Sequence, residues 1–66
     1  MTLGEKIQKL RKQRGLSQEA LAEKVTVTRQ TISKWELGQS TPDLDFIAQL
    51  SDIFNVSSDY LIKDEM

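Results

Sequence analysis

Apolar residues recur along this chain at spacings of three and four. Leu3, Ile7 and Leu10 stand at i, i+4 and i+7, which marks one face of an amphipathic helix. Lys6, Lys9, Lys12 and Gln13 are assigned to its other faces. Thr2 is its N-cap, and Gly15 suits the left-handed position that ends many helices. A second starting signal occurs three times. Ser17, Thr28 and Ser57 are capping residues, and the pairs Leu16–Leu21, Val27–Ile32 and Val56–Leu61 flank them as hydrophobic staples. Asp43 caps one more helix, after Pro42, which biases Thr41 away from helical backbone. Gly38 and Asn55 tolerate positive φ and mark stops. These signals predict five helices, over residues 3–14, 18–25, 29–37, 44–54 and 58–62. No segment alternates as a half-buried strand would, so the expected class is all-α. In the fourth helix Leu44, Ile47, Leu50, Ile53 and Phe54 form a wide apolar stripe. Leu61 closes the core, with Tyr60 at its edge. The expected organisation is one domain over 1–66, with an ordered part of 3–62 and a frayed tail of 63–66.

The third helix sorts its side chains most sharply. With Arg29 at zero and about 100° per residue, Ser33, Leu37, Gln30 and Lys34 fall at roughly 40°, 80°, 100° and 140°. Thr28, Ile32 and Trp35 cluster between about 240° and 300°. One face therefore offers Arg, Gln, Ser and Lys, and the other offers Ile and Trp. A helix that reads base edges needs this division. Arg or Lys can pair with guanine O6 and N7, Gln with adenine N6 and N7, and Ser with several edges. The N-terminal end, where Arg29 and Gln30 stand, is the part that enters a major groove. The same pattern also suits a surface helix whose polar face meets only water.

Charge changes that balance. The net charge is −1, which by itself argues against nucleic acid. Residues 1–36 hold eight basic and four acidic residues, a net of +4, whereas residues 37–66 hold one and six, a net of −5. A basic half can attract phosphate because the local potential sets the attraction. An uneven but merely solvated surface reads the same way.

The whole motif resembles the phage Cro and repressor helix-turn-helix family, also called Xre-like. The string SQEALAEKVTVTRQTISKWELG is typical of it, and so is TPDLDFIAQLSDIFNVSSDYLI. Ala22 supplies the small residue of the family pattern, and Leu21, Val25, Val27, Ile32 and Trp35 its apolar positions. The likeness covers residues 3–62 and implies a five-helix fold that binds specific double-stranded DNA, usually as a homodimer on an inverted repeat. By position, it implies that Arg29, Gln30 and Lys34 read bases, with Ser33 a weaker reader. Gln18 and Thr28 would bind phosphate, and Gln39 and Ser40 occupy a loop that meets the DNA backbone in relatives. Arg11 and Glu36 match an internal ion pair. The implied dimer surface is the loop after the third helix and the last helix, around Phe54, Val56, Tyr60 and Ile62. Relatives often continue into an oligomerisation, ligand-sensing or membrane segment.

Two positions leave alternatives open. Relatives often place Gly where this chain has Thr26, so either Thr26 is strained or the turn is built differently. Trp35 is read as a partly buried core aromatic, or as a phosphate contact through its indole N–H.

Other function classes fare worse. The chain has no Cys and no His, which excludes disulfides and removes the usual nitrogen and sulfur ligands of zinc. There is no phosphate-cradling glycine loop, and Asp43 and Asp45 are explained by a helix start. No enzyme, cofactor or metal is expected. A protein-interaction module of the same fold, such as a bridging factor or antitoxin-like partner, is the alternative. It would show exposed apolar surface on the fourth or fifth helix. Residues 1–15 are basic without an apolar core, so they are no signal peptide, and no apolar run approaches the roughly 18 residues of a membrane span. The cytoplasm is the expected compartment.

Overall fold

The computed structural model describes residues 1–63; residues 64–66 of the expected tail lie outside the described residues. The chain forms α1 Leu3–Gln13, α2 Gln18–Val25, α3 Arg29–Leu37, α4 Leu44–Phe54 and α5 Ser58–Ile62. Among the described residues there is no strand. All five predicted helices are present, and α1 stops one residue early, with Arg14 as its cap at φ −88° and ψ 0°.

Local chemistry places the ends. Thr2, Ser17, Thr28, Asp43 and Ser57 are extended N-caps, each accepting a backbone N–H three residues on. Each satisfies one of the first-turn donors that a helix leaves without a partner. Gly15, Thr26, Gly38 and Asn55 all take positive φ where helices end. Thr26 lies at φ 63° and ψ 43°, so the turn between α2 and α3 has the left-handed geometry that a glycine would relieve. Its hydroxyl donates to Val25 O at 2.5 Å, a local compensation.

α1 packs on α3 and α5, α2 on α3 and α4, and α4 on α5. Ile7, Leu10, Leu21, Ala22, Val25, Ile32, Trp35, Ile47, Leu50, Phe54 and Leu61 form one buried cluster. Trp35 is core: it is 4% exposed, with its ring 5.3 Å from that of Phe46.

Four expectations need correction. Leu44, placed in the apolar stripe of α4, is 74% exposed. It begins the helix, ahead of Ile47, the first buried position. Phe54, placed on a dimer surface, is fully buried in the core. Lys6, assigned to an outer face, is 1% exposed. It stands three residues after Leu3 and so completes the i, i+3, i+4, i+7 stripe. Its stem lies along the core, while Nζ donates to Tyr60 O at 2.7 Å and to Lys63 O and sits 5.0 Å from the Tyr60 ring centre. Lys63, placed in the tail, is thus held by Lys6, and its own N–H donates to Asp59 O at 2.9 Å.

Gly4 sets the approach of α1 to α3. A Cβ there would collide with Trp35 O and lie 2.6 Å from Glu36 O. Only a residue without a side chain lets the two backbones meet so closely.

Candidate nucleic-acid interface

α3 is anchored from its apolar side. Ile32 and Trp35 are buried, whereas Arg29, Gln30 and Lys34 are exposed and Ser33 is half-buried. Arg29, Gln30, Ser33 and Lys34 line one open depression together with Gln39. The lining holds two cations, two carboxamides and a hydroxyl, and no carboxylate. It presents both donors and acceptors in a space open to solvent, as pairing with base edges requires. Gln39 is brought into this group by the end of α3, where its N–H donates to Lys34 O at 2.9 Å.

The residues expected at phosphates are not all placed alike. Ser40 is exposed and its N–H donates to Lys34 O at 3.4 Å, but it lines a second depression, beside Thr2, Gly4, Gly38 and Thr41. The Thr28 hydroxyl accepts from Thr31 N at 3.2 Å and shares a hydrogen bond with the Thr31 hydroxyl at 3.0 Å. It is therefore engaged in capping α3, while the N–H groups of Arg29 and Gln30 have no partner within the helix. Gln18 opens α2 and is half-buried, and its Nε2 donates to Glu36 Oε1 at 3.0 Å.

Behind this surface lies a charged pair. Arg11 Nε donates to Glu36 Oε2 at 2.6 Å, and Arg11 Nη2 to Glu36 Oε1 at 3.1 Å. Both side chains are buried, and Arg11 Nη1 also reaches Leu16 O at 2.9 Å. The two-pronged geometry matches the guanidinium fork to the carboxylate. Among the described residues no buried side-chain nitrogen or oxygen lacks a partner. Sequence reasoning missed the third member, Gln18. Its signal would have been an amide at a helix start opposite a buried acid, which only the packing of α2 on α3 brings together.

No helix among the described residues is long and apolar enough to cross a membrane, and none of their His, Cys, Asp or Glu side chains cluster as metal ligands.

Comparison with known proteins places this geometry. The helix-turn-helix family model matches residues 7–61. The chain is 42% identical over 60 residues to the SPbeta prophage-derived HTH-type transcriptional regulator YonR of Bacillus subtilis, covering 91% of this chain and 56% of that protein. It is 42% identical over 65 residues to the HTH-type transcriptional activator BcrR of Enterococcus faecalis, covering 98% of this chain and 32% of that protein. It thus spans about half or less of the length of these curated relatives. Among solved structures, the P22 c2 repressor in complex with a synthetic operator superposes with a TM-score of 0.91 at 34% identity, covering 98% of both chains. With the motif, the five helices and this likeness along nearly its whole length, the chain belongs to the Xre/Cro-like helix-turn-helix family of phage repressors and transcriptional regulators.

Proposed function

We propose that this chain is the DNA-binding domain of a transcriptional regulator and reads a specific double-stranded operator through α3. The observation that carries this reading is the shared depression of Arg29, Gln30, Ser33, Lys34 and Gln39 on the solvent side of α3. A major groove about 12 Å wide admits a helix, and these side chains suit its edges. Gln18 and Ser40 contact phosphate beside α3, and Thr28 does so from its cap. Gln39 works beside the base readers as much as at the backbone. Phosphate contacts supply affinity, and base contacts supply selectivity. The names of YonR and BcrR and the operator-bound P22 c2 repressor support the same role.

The working unit is a homodimer on an inverted repeat, in the cytoplasm, as one domain that needs no cofactor or metal. Half-sites one turn of DNA apart are separated by roughly 34 Å. One copy carries a single α3, so two copies are needed to read both. The loop after α3 with Tyr60, Ile62 and half-buried Val56 forms the contact; Phe54 does not take part.

Selection of bound sequences from random DNA at two salt concentrations tests the proposal. An enriched inverted repeat is the expected result. The second reading, a protein-interaction module, draws on exposed Leu44 on α4 and on Tyr60 and Ile62 on α5. Recovery of no preferred sequence at either salt concentration would favour it and sink the first.

A further inference from the structure

Glu36 has two carboxylate oxygens and three donors. Arg11 Nε takes Oε2 at 2.6 Å, while Oε1 is shared between Arg11 Nη2 at 3.1 Å and Gln18 Nε2 at 3.0 Å. This arrangement settles which way the Gln18 carboxamide is turned. Reversed, its oxygen would face the carboxylate, acceptor against acceptor. One amide hydrogen is thereby held by Glu36, and the second is directed away from it. Gln18 is half-buried, so part of this group remains open to solvent at the first turn of α2.

A carboxylate beside a phosphate-binding surface is ordinarily a liability, because like charges repel. Here the charge is matched by Arg11, and the Glu36 side chain is only 2% exposed. Of its two partners Gln18 is the more exposed, so Glu36 meets the surface mainly through it. The network also joins three helices, with Arg11 on α1, Gln18 on α2 and Glu36 on α3. It fixes the distance between the start of α2 and the polar face of α3.

We infer that Glu36, held by Arg11, is a positioning residue that aims the free N–H of Gln18 at a single DNA phosphate. This rests on the proposed reading of DNA through α3 with Gln18 on the backbone. It adds that the buried pair acts in recognition, through Gln18, as well as in packing.

The test uses the full chain and a duplex obtained by the selection above, with each phosphate in turn replaced by neutral methylphosphonate. A hydrogen bond to a charged group is worth about tenfold or more in affinity. In the unaltered protein, one of the phosphates that show a loss of that size in each half-site is the one whose loss Gln18→Ala abolishes. The double variant Arg11→Met with Glu36→Leu keeps Gln18 but removes its anchor, and replacing both members of a buried pair by apolar residues is compatible with folding. It is expected to cut the loss at that phosphate to under about threefold, with the losses at other phosphates retained. A double variant that keeps the full loss overturns the positioning role and leaves DNA reading intact. If Gln18→Ala alters no phosphate's effect, the phosphate role and this inference fall together.

A second measurement covers the case in which the double variant does not fold. Relaxation of the side-chain amide groups in the unaltered protein should give Gln18 Nε2 an order parameter above the flexible range, that is above about 0.6. Gln30 and Gln39 should fall below about 0.6. A Gln18 amide as mobile as those two overturns the inference.

Discussion

Thr26 holds a left-handed backbone at φ 63°, which costs a β-branched residue on the order of 1–2 kcal/mol. Thr26→Gly removes that cost but also the hydroxyl bond to Val25 O, and it loosens the unfolded chain. The expected net change is neutral or stabilising by up to about 1 kcal/mol, read from the urea midpoint. A loss of more than about 1 kcal/mol would mean that the hydroxyl bond outweighs the backbone strain. Gly4 is the opposite case. Gly4→Ala puts a methyl group into Trp35 O and Glu36 O, both backbone atoms that cannot turn aside. A destabilisation of about 1–3 kcal/mol or more is expected in the same experiment. An unchanged midpoint would show that α1 can move off α3 without penalty. Neither effect has a signature in the hydrophobic pattern. Thr26 was legible as a departure from the family motif. Gly4 was not legible, because its role depends on carbonyls more than thirty residues away.

Each helix here is bounded by chemistry within a few residues, which is why the pattern located all five. The capping box of α1 is the fullest example. Glu5 N donates to the Thr2 hydroxyl at 3.1 Å, and Thr2 N donates to Glu5 Oε1 at 2.8 Å. The bond from the Thr2 backbone, then that from its hydroxyl, hold the Glu5 carboxyl below its ordinary value of 4.5. A depressed acid stabilises the fold fully above the unfolded value and loses that contribution as pH falls through the folded one. The first turn of α1 should therefore begin to loosen below about pH 4.5. A carboxyl titration of Glu5 by NMR with a midpoint at or above 4.5 would contradict this. On α3, the element-scale prediction concerns its polar face. Gln30→Ala or Lys34→Ala should flatten preference at one base pair by about 1–3 kcal/mol, measured against single-position operator variants. Unchanged selectivity in both variants would remove α3 as the reading helix.

At the scale of the molecule, the charge split matters more than the net charge of −1. Arg29 and Lys34 stand on the proposed DNA face, and Arg11 is spent on Glu36. With two such cations, the slope of log affinity against log salt should be about −1.8 per copy, and roughly double for a dimer. A flat response in a binding titration from 50 to about 200 mM salt would exclude phosphate neutralisation as the source of affinity. In the acidic half, Asp43 caps α4 and Asp59 stands in the first turn of α5.

Helix boundaries to within one residue, the two faces of α3 and the family motif were determined by the sequence alone, because caps, staples and a period of about 3.6 residues act within one or two turns. The tertiary structure decided which polar residues face inward. Lys6 is buried because the end of α5, fifty-four residues on, supplies carbonyls for its ammonium group. Leu44 is exposed and Phe54 covered for a similar reason, since neighbours along the chain do not reveal what packs from another helix. Gln18 and Glu36, eighteen residues apart, met only when α2 was laid on α3. Burial of a polar group depends on partners brought from a distance, and that information is absent from any local window of the chain.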